Sequence, residues 1–338
     1  MTSPTSAPVT PERIFQFAWA YSVPLVIEAA IKHRVFDVLD SGPKTLAELH
    51  AATGASARGL SRIANLLVGL NFLERHGDKY ANAPEAAAFL VSTKPGFSGG
   101  LFRHTSEDLI PRWLHLNEAV ATGKAVTPVN QQSGGAEFFE HFVCDIMPMS
   151  FPAAQDLAAH LALDSRPGPV RVLDLAAGSG VWSIALAQSS RKVQVTAVDW
   201  PAVLPVTKKT AERFGVGDRF SFVAGDLDSA DFGTDHHVAT LGHILHSEGV
   251  ARSNALIAKT FAALASGGII AIQEFLVNKD RTGPVNGLIF GVNMLIATDE
   301  GDTFSFEEIA AWLKEAGFTN PRTVEARGPS PLILATKP

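Results

Sequence analysis

Apolar positions change their period along the chain, and those changes divide it. Between Pro11 and Ala30, Ile14, Phe17, Ala18 and Tyr21 recur at helical spacing, and Leu25, Ile27, Ala30 and Ile31 carry the apolar content past Pro24. So much apolar surface near a terminus calls for cover by another domain or a partner chain. Thr45-Leu-Ala-Glu48 forms a capping box that opens a short helix, which Gly54 ends. Leu60, Ile63, Ala64, Leu67 and Leu70 then make a second helical stripe. Phe72-Leu73 and Tyr80 flank Gly77-Asp78 as a hairpin would, and Pro84 opens a helix over 83–90. Residues 94–165 read as mainly helical, with a helix over 111–120, a loop at Gly123 and Pro128, and another helix starting over 136–142.

From Val170 the pattern shortens. Val170–Leu175, Val193–Val198, Phe220–Val223, Val238–Leu241 and Ile269–Ile272 are apolar runs of strand length, separated by helical stretches such as 251–264. Val277–Ala297 mixes Gly, Pro and Asn among apolar residues and reads as a partly helical lid. Ser305-Phe-Glu-Glu308 is a second capping box, and two last strands cover 319–326 and 331–336. Alternating strands and helices with short links predict an α/β fold with a mostly parallel, Rossmann-like sheet between helices. The expected organisation is a tail over 1–10, a helical winged-helix-like domain over 11–95, a helical connector over 96–165, and a catalytic domain over 166–338 opened by the linker Arg166-Pro-Gly-Pro169.

The first of those strands runs into Asp174-Leu-Ala-Ala-Gly-Ser-Gly180 and then a helix. Such a turn aims backbone N–H groups and a helix N-terminus at a ligand. A dinucleotide site wants a third glycine, where this chain has Ser183. Asp174 would also repel a pyrophosphate, yet it suits a ligand with an ammonium group, as in S-adenosylmethionine (SAM). Asp199, ending the second strand, is placed to accept from ribose hydroxyls. Gly225-Asp226-Leu227, after the third, offers an acid and an apolar contact for adenine. The candidate cofactor set is therefore Asp174, Ala176, Gly178, Gly180, Asp199, Trp200, Asp226 and Leu227.

Composition narrows the class. At 338 residues, two domains are expected, since one core stops growing near about 250–300 residues. No single apolar run approaches the roughly 18 residues that span a bilayer, and Met1–Pro8 lacks the organisation of a signal peptide. The one cysteine, Cys144, excludes an intramolecular disulfide, fits a cytoplasmic setting, and reads as a packed small hydrophobe. A net charge of −6 and a recognition helix offering only Arg58 and Arg62 argue against nucleic acid as partner. Dimerisation suits the N-terminal unit better, and no membrane partner is expected.

These residues together resemble the class I SAM-dependent methyltransferases of the plant-type O-methyltransferase family, in its bacterial branch. The resemblance spans nearly the whole chain and rests on Asp174–Gly180, Asp199-Trp-Pro201, Gly225-Asp226, Leu245-His246, and Gly267-Gly268 leading to Glu274. It implies a seven-stranded sheet ending in an antiparallel hairpin, a homodimer through the N-terminal domain, SAM as cofactor and S-adenosylhomocysteine as product. It also implies His246 as general base, with Glu274 orienting it. The chain departs from the family where Ser247-Glu248 replaces the usual Asp-Trp, where Gly242 replaces a common Lys, and where Thr303 stands for a second acid, with Asp299, Glu300 and Asp302 nearby.

The acceptor atom stays open. A phenol of pKa about 10 needs a base near neutrality, which an imidazole can supply. A thiol of pKa about 8.5 is already partly ionised, so an S-methyltransferase working by positioning fits the altered surroundings of His246. A small-molecule hydroxyl acceptor is the primary reading. Its candidate contacts are His243, Asn293, Trp113 and Met149, with His104 and Phe139 beside them, although plain packing is the stronger reading for Trp113, Met149, His104 and Phe139. His236, His237, His243, His246 and Glu248 raise the question of metal, but a hard ion such as Mg²⁺ prefers carboxylates to imidazole, so none is expected. A SAM-binding regulator without catalysis, or an NAD-dependent oxidoreductase, are the rival classes.

Overall fold

The computed structural model describes residues 9–129, 132–328 and 330–338; most of the expected tail, residues 1–8, lies outside them. The chain forms two compact units, Met1–Ile110 and Pro111–Pro338.

In the first unit, helices Glu12–Trp19 and Ser22–Lys32 are followed by Leu46–Thr53 and Ala57–Gly69. The Thr45 capping box forms, with the Thr45 N–H and hydroxyl both donating to Glu48 and Gly54 closing the helix at φ +72°. Strand β1 (Lys44–Thr45) joins the hairpin of β2 (Leu73–His76) and β3 (Lys79–Asn82) in the order β1-β3-β2. Ile27, Phe36, Leu49, Leu60, Leu67 and Leu73 are fully buried and make this unit's core. Helix Glu12–Trp19, by contrast, buries none of its residues. Read as one stretch, Glu12–Lys32 is long and apolar enough to cross a membrane by length and composition, a length that the run-by-run pattern splits in two.

The second unit is built on seven strands: β4 (Val170–Leu175), β5 (Val193–Asp199), β6 (Phe220–Ala224), β7 (His236–Gly242), β8 (Leu264–Gln273), β9 (Thr319–Val324) and β10 (Leu332–Thr336). Their order is β6-β5-β4-β7-β8-β10-β9, parallel through β8, with β10 antiparallel to both β8 and β9. The sheet is therefore the mostly parallel, seven-stranded α/β sheet expected, closed by the antiparallel hairpin. Strand β4 is buried at five of its six positions because helices cover both faces, which is why it reads as a continuous apolar run. The order reverses between β4 and β7, the place in such sheets where ligands collect at the strands' carboxyl ends.

Three features differ from the expected elements. Helix Gln132–Leu161 runs through Pro148 and Pro152, although an internal proline usually ends a helix. The helix expected over 251–264 is preceded by a short helical turn from Leu245, set off from it by a kink at Gly249, where φ is 69° and ψ 177°. Cys144 is exposed rather than packed.

Candidate active site

The turn after β4 is shaped by three residues at positive φ: Ala176 at 52°, Gly178 at 56° and Gly180 at 75°. Gly178 N–H donates to Asp199 Oδ2 at 2.7 Å, tying the turn to the end of β5. A Cβ on Gly180 would press on Thr207 Cγ2 at 3.0 Å and on Ile184, so a side chain there strains the turn against the core behind it.

Asp174 is 1% exposed and accepts from Ser183 Oγ and from Thr240 Oγ1, the latter at 2.7 Å. Thr240 reaches it because β4 and β7 pair in parallel with these two residues in register. Burial pushes the Asp174 carboxyl up to about 6, against the pull of its Ser183 and Thr240 hydrogen bonds. Burial likewise raises Asp199 to about 6, although Gly178 and Trp200 N–H groups donate to it. Among the described residues neither acid has an ion-pair partner. A buried and a half-buried carboxylate beside a glycine turn, lacking a cation of their own among the described residues, fit a cofactor that brings positive charge and hydroxyl donors.

Asp226, after β6, accepts from Trp200 Nε1 at 3.4 Å. Arg252, on the helix that starts at Leu245, binds Asp226 at 3.3 Å, Asp228 at 2.5 Å and Glu248 at 2.5 Å. Lys259, two turns further along, donates to the carbonyls of Leu227, Asp228 and Ala230. Burial would raise the Asp226 carboxyl, but its bonds from Asp228 N–H and Trp200 and the Arg252 charge hold it below the usual range. Glu248, which stands where the family usually has Trp, thus belongs to an ionic clamp on the loop after β6. Gly242 has its own cause: a Cβ there would run into the indole of Trp182, so the common Lys has no room.

At the other end of the site, His246 Nδ1 lies 2.7 Å from Glu274 Oε2. Glu274 is 1% exposed, and its Oε1 accepts from Leu245 N–H at 2.6 Å. Burial alone would raise this carboxyl, yet the charge and hydrogen bond of His246, then His243 and the Leu245 N–H, leave it below the usual carboxylate range. Asp302 N–H donates to the His246 carbonyl at 3.0 Å, so the segment expected to carry a second acid holds the backbone of His246. Phe290 meets the His246 ring edge-on at 4.8 Å and stacks on Phe275 at 4.1 Å, which in turn lies 5.0 Å from His243. Trp113 Nε1 donates to Asn293 Oδ1 at 3.1 Å, joining two candidate acceptor contacts. Met149 is half-buried in helix Gln132–Leu161, and Phe139 packs edge-on against Trp200 at 5.8 Å. His104 lies in the other unit, paired with Asp108 at 3.0 Å.

Residues missed by sequence reading include Ser183, Thr240, Gln273, Phe275, Phe290 and Arg252. Phe290 and Asn293 stand three apart on helix Val285–Ala297, a spacing that marks one face. Phe275 and Gln273 flank Glu274 in sequence. Ser183 and Thr240 carry no such signal, because their place beside Asp174 depends on strand order. His243, His246 and Glu274 each offer a ligand atom, all within 4.8 Å of one another. The Glu274 oxygens are already taken by His246 and Leu245, so this is a hydrogen-bonded cluster before it is a cation site.

The fold, with the family matches that follow, makes this a SAM-dependent methyltransferase acting on a small-molecule acceptor. Residues 15–92 match the O-methyltransferase dimerisation domain, and residues 153–319 the O-methyltransferase domain. The chain is 31% identical to the tetracenomycin polyketide synthesis 8-O-methyl transferase TcmO of Streptomyces glaucescens, over 97% of each chain. It is 28% identical to a 3-hydroxy-5-methyl-1-naphthoate 3-O-methyltransferase of Streptomyces sahachiroi, over 90% of this chain and 88% of that one. Human N-acetylserotonin methyltransferase, solved in complex with SAM, superposes with a TM-score of 0.84 at 22% identity, covering 98% and 99% of the two chains. The chain belongs to the plant-type O-methyltransferase family.

Proposed function

We propose that the acceptor is a phenolic hydroxyl on a small aromatic molecule, with His246 as the base. The observation that carries this reading is the buried dyad, His246 Nδ1 to Glu274 Oε2 at 2.7 Å. Glu274, held ionised by its surroundings, accepts from Nδ1–H and so leaves the Nε2 lone pair free to take a proton. Bound SAM supplies an activated methyl group on a sulfonium. The chain's part is to hold the hydroxyl in line, receive its proton at Nε2 as the oxygen attacks, and let Glu274 stabilise the imidazolium. A thiol acceptor would leave this dyad with little to do. Phe290, Phe275 and the Trp113–Asn293 pair suit an aromatic ring, and the two O-methyltransferases named above act on aromatic or polyketide skeletons by their names. His243 and Met149 complete the proposed acceptor contacts.

At the cofactor end, Asp174 faces the ammonium group, Asp199 the ribose, and Asp226 with Leu227 the adenine, while Ala176, Gly178, Gly180 and Trp200 shape the turn. The N-terminal unit pairs two copies of the chain. Matched phenol and thiol acceptors on one aromatic skeleton test the acceptor class: turnover of the phenol at neutral pH is expected, and turnover of the thiol alone would overturn the reading.

The acids predict a pH dependence of cofactor binding. Both carboxyls are raised to about 6, so in the free enzyme they take up protons as pH falls through that value. A cationic ligand binds the ionised form better. Affinity should therefore be flat above about pH 7 and weaken below about pH 6, by up to tenfold per unit for each acid that must be ionised. Calorimetric titration of SAM between pH 5 and 8 measures this. An affinity unchanged across that range would remove the acids from cofactor binding, and Asp174→Asn should flatten part of the slope.

A further inference from the structure

We propose that His243 accepts a hydrogen bond from the methyl acceptor, so that the enzyme selects molecules carrying a second O–H or N–H donor ortho or peri to the hydroxyl it methylates. This rests on the reading of His246 as base and names the acceptor more closely.

Around His243 each hydrogen-bond role forces the next. The Ser330 carbonyl can only accept, and Gln273 points its Nε2 at it, 2.9 Å away and buried. That fixes the amide, so Gln273 Oε1 is the atom facing His243 Nε2 at 3.2 Å. An amide oxygen can only accept, so Nε2 carries the ring proton. Burial pushes the His243 pKa down to about 4, so the ring is neutral and holds one proton only. The lone pair therefore sits on Nδ1. That atom is buried and has no hydrogen-bond partner.

Nothing in the cluster can fill it. Glu274 is an acceptor with both oxygens already used by His246 and Leu245. His246 spends its Nδ1 proton on Glu274, which leaves Nε2 as a second lone pair. The two imidazole rings lie 6.4 Å apart, centre to centre, within reach of two adjacent donors on one small aromatic molecule. A buried acceptor left unpaired is costly, and a molecule with two adjacent donors satisfies both nitrogens at once. The rings of Phe275 and Phe290 beside the two histidines add the apolar surface such an aromatic molecule packs against. His243 also sits at φ +58°, an uncommon conformation for a side-chain-bearing residue, pinned by its N–H to the Gln273 carbonyl at 2.8 Å. Strain of this kind persists where the surrounding structure enforces a particular side-chain placement.

The test uses the full-length enzyme with SAM and three acceptors: 2-naphthol, 2,3-dihydroxynaphthalene and 1,8-dihydroxynaphthalene. Wild type should prefer at least one diol over the naphthol by about 10- to 100-fold in kcat/KM. In His243→Phe that ratio should fall to within about threefold, whatever the absolute rates. Gln273→Met, which removes the proton lock without touching the ring, should also shrink the ratio, and SAM binding by calorimetry reports whether each variant is folded. Equal kcat/KM for diols and naphthol in wild type, or an undiminished preference in both variants, overturns the proposal while leaving His246 as base. Turnover of none of the three, with a naphthalenethiol methylated instead, overturns the hydroxyl reading and this inference with it.

Discussion

His246→Ala should lower kcat on a phenol acceptor by about two to four orders of magnitude, the usual worth of a positioned base. The loss should appear in kcat far more than in SAM affinity, since the imidazole bonds Glu274 and meets Phe290 edge-on at 4.8 Å, away from the acids proposed to hold the cofactor. It should shrink as pH rises toward the phenol's own pKa of about 10, where the nucleophile ionises unaided. Glu274→Gln should reproduce part of the loss. The amide keeps the shape but can present its NH₂ to Nδ1, and it gives up the charge that stabilises the imidazolium. Glu274→Ala removes more, because Leu245 N–H then loses its 2.6 Å acceptor at the start of the helix. Steady-state kinetics with one phenol from pH 6 to 10 check both variants. An alanine variant as fast as wild type at neutral pH would take His246 out of the mechanism and bring His243 forward.

Much of the fold could be read from the residues because local rules and tertiary structure agree there. The capping boxes at Thr45 and Ser305 open helices as their chemistry dictates, and the apolar runs at 170–175 and 193–198 are strands with helices on both faces. Where the reading fell short, the deciding interactions are remote in sequence. Gln132–Leu161 stays helical through two prolines because the rest of the unit packs on it, burying Ala153, Ala154 and Leu157. At the site, Asp174, Asp199 and the His246–Glu274 pair stood out because acids and a histidine at strand ends are chemically legible. Thr240 and Gln273 did not. The first is useful only because β7 crosses to lie beside β4. The second becomes informative only once Ser330 is known to sit against its amide.

Strand order also explains how the two ends of the site are connected. The helix Leu245–Ala263 carries His246 in its first turn, then Glu248 and Arg252, then Lys259. Its cations hold the loop of Asp226–Ala230, while its N-terminus is tied to Glu274. Two helical segments joined at the Gly249 kink, and tied across it by the Glu248–Arg252 ion pair, thus link the proposed base to the proposed adenine loop. Of the two departures from the family's Asp-Trp pair, Glu248 joins the clamp on the cofactor loop through Arg252, while Ser247 Oγ bonds back to the Ile244 carbonyl at 2.9 Å.

Replacing Phe17 and Trp19 together with Glu should convert a dimer to monomers. Helix Glu12–Trp19 has no buried residue, and Ile14, Phe15, Phe17, Trp19 and Tyr21 are 58–70% exposed. Eight residues are too few to hold a helix in water alone, so its stability has to come from packing that one copy of the chain does not provide. The match of residues 15–92 to a dimerisation domain points to a second copy as the cover. Large aromatic side chains at the centre of such an interface typically cost about 2 kcal/mol or more each when lost, and a buried Glu adds the cost of an unpaired charge. Two such changes should raise the dimer dissociation constant by at least about a thousandfold. Sedimentation equilibrium at micromolar concentration measures it, with thermal unfolding of the SAM-bound form as the check that the second unit remains folded. A wild-type chain that sediments as a monomer, or floats with lipid vesicles through Glu12–Lys32 instead of pairing, would overturn the dimer.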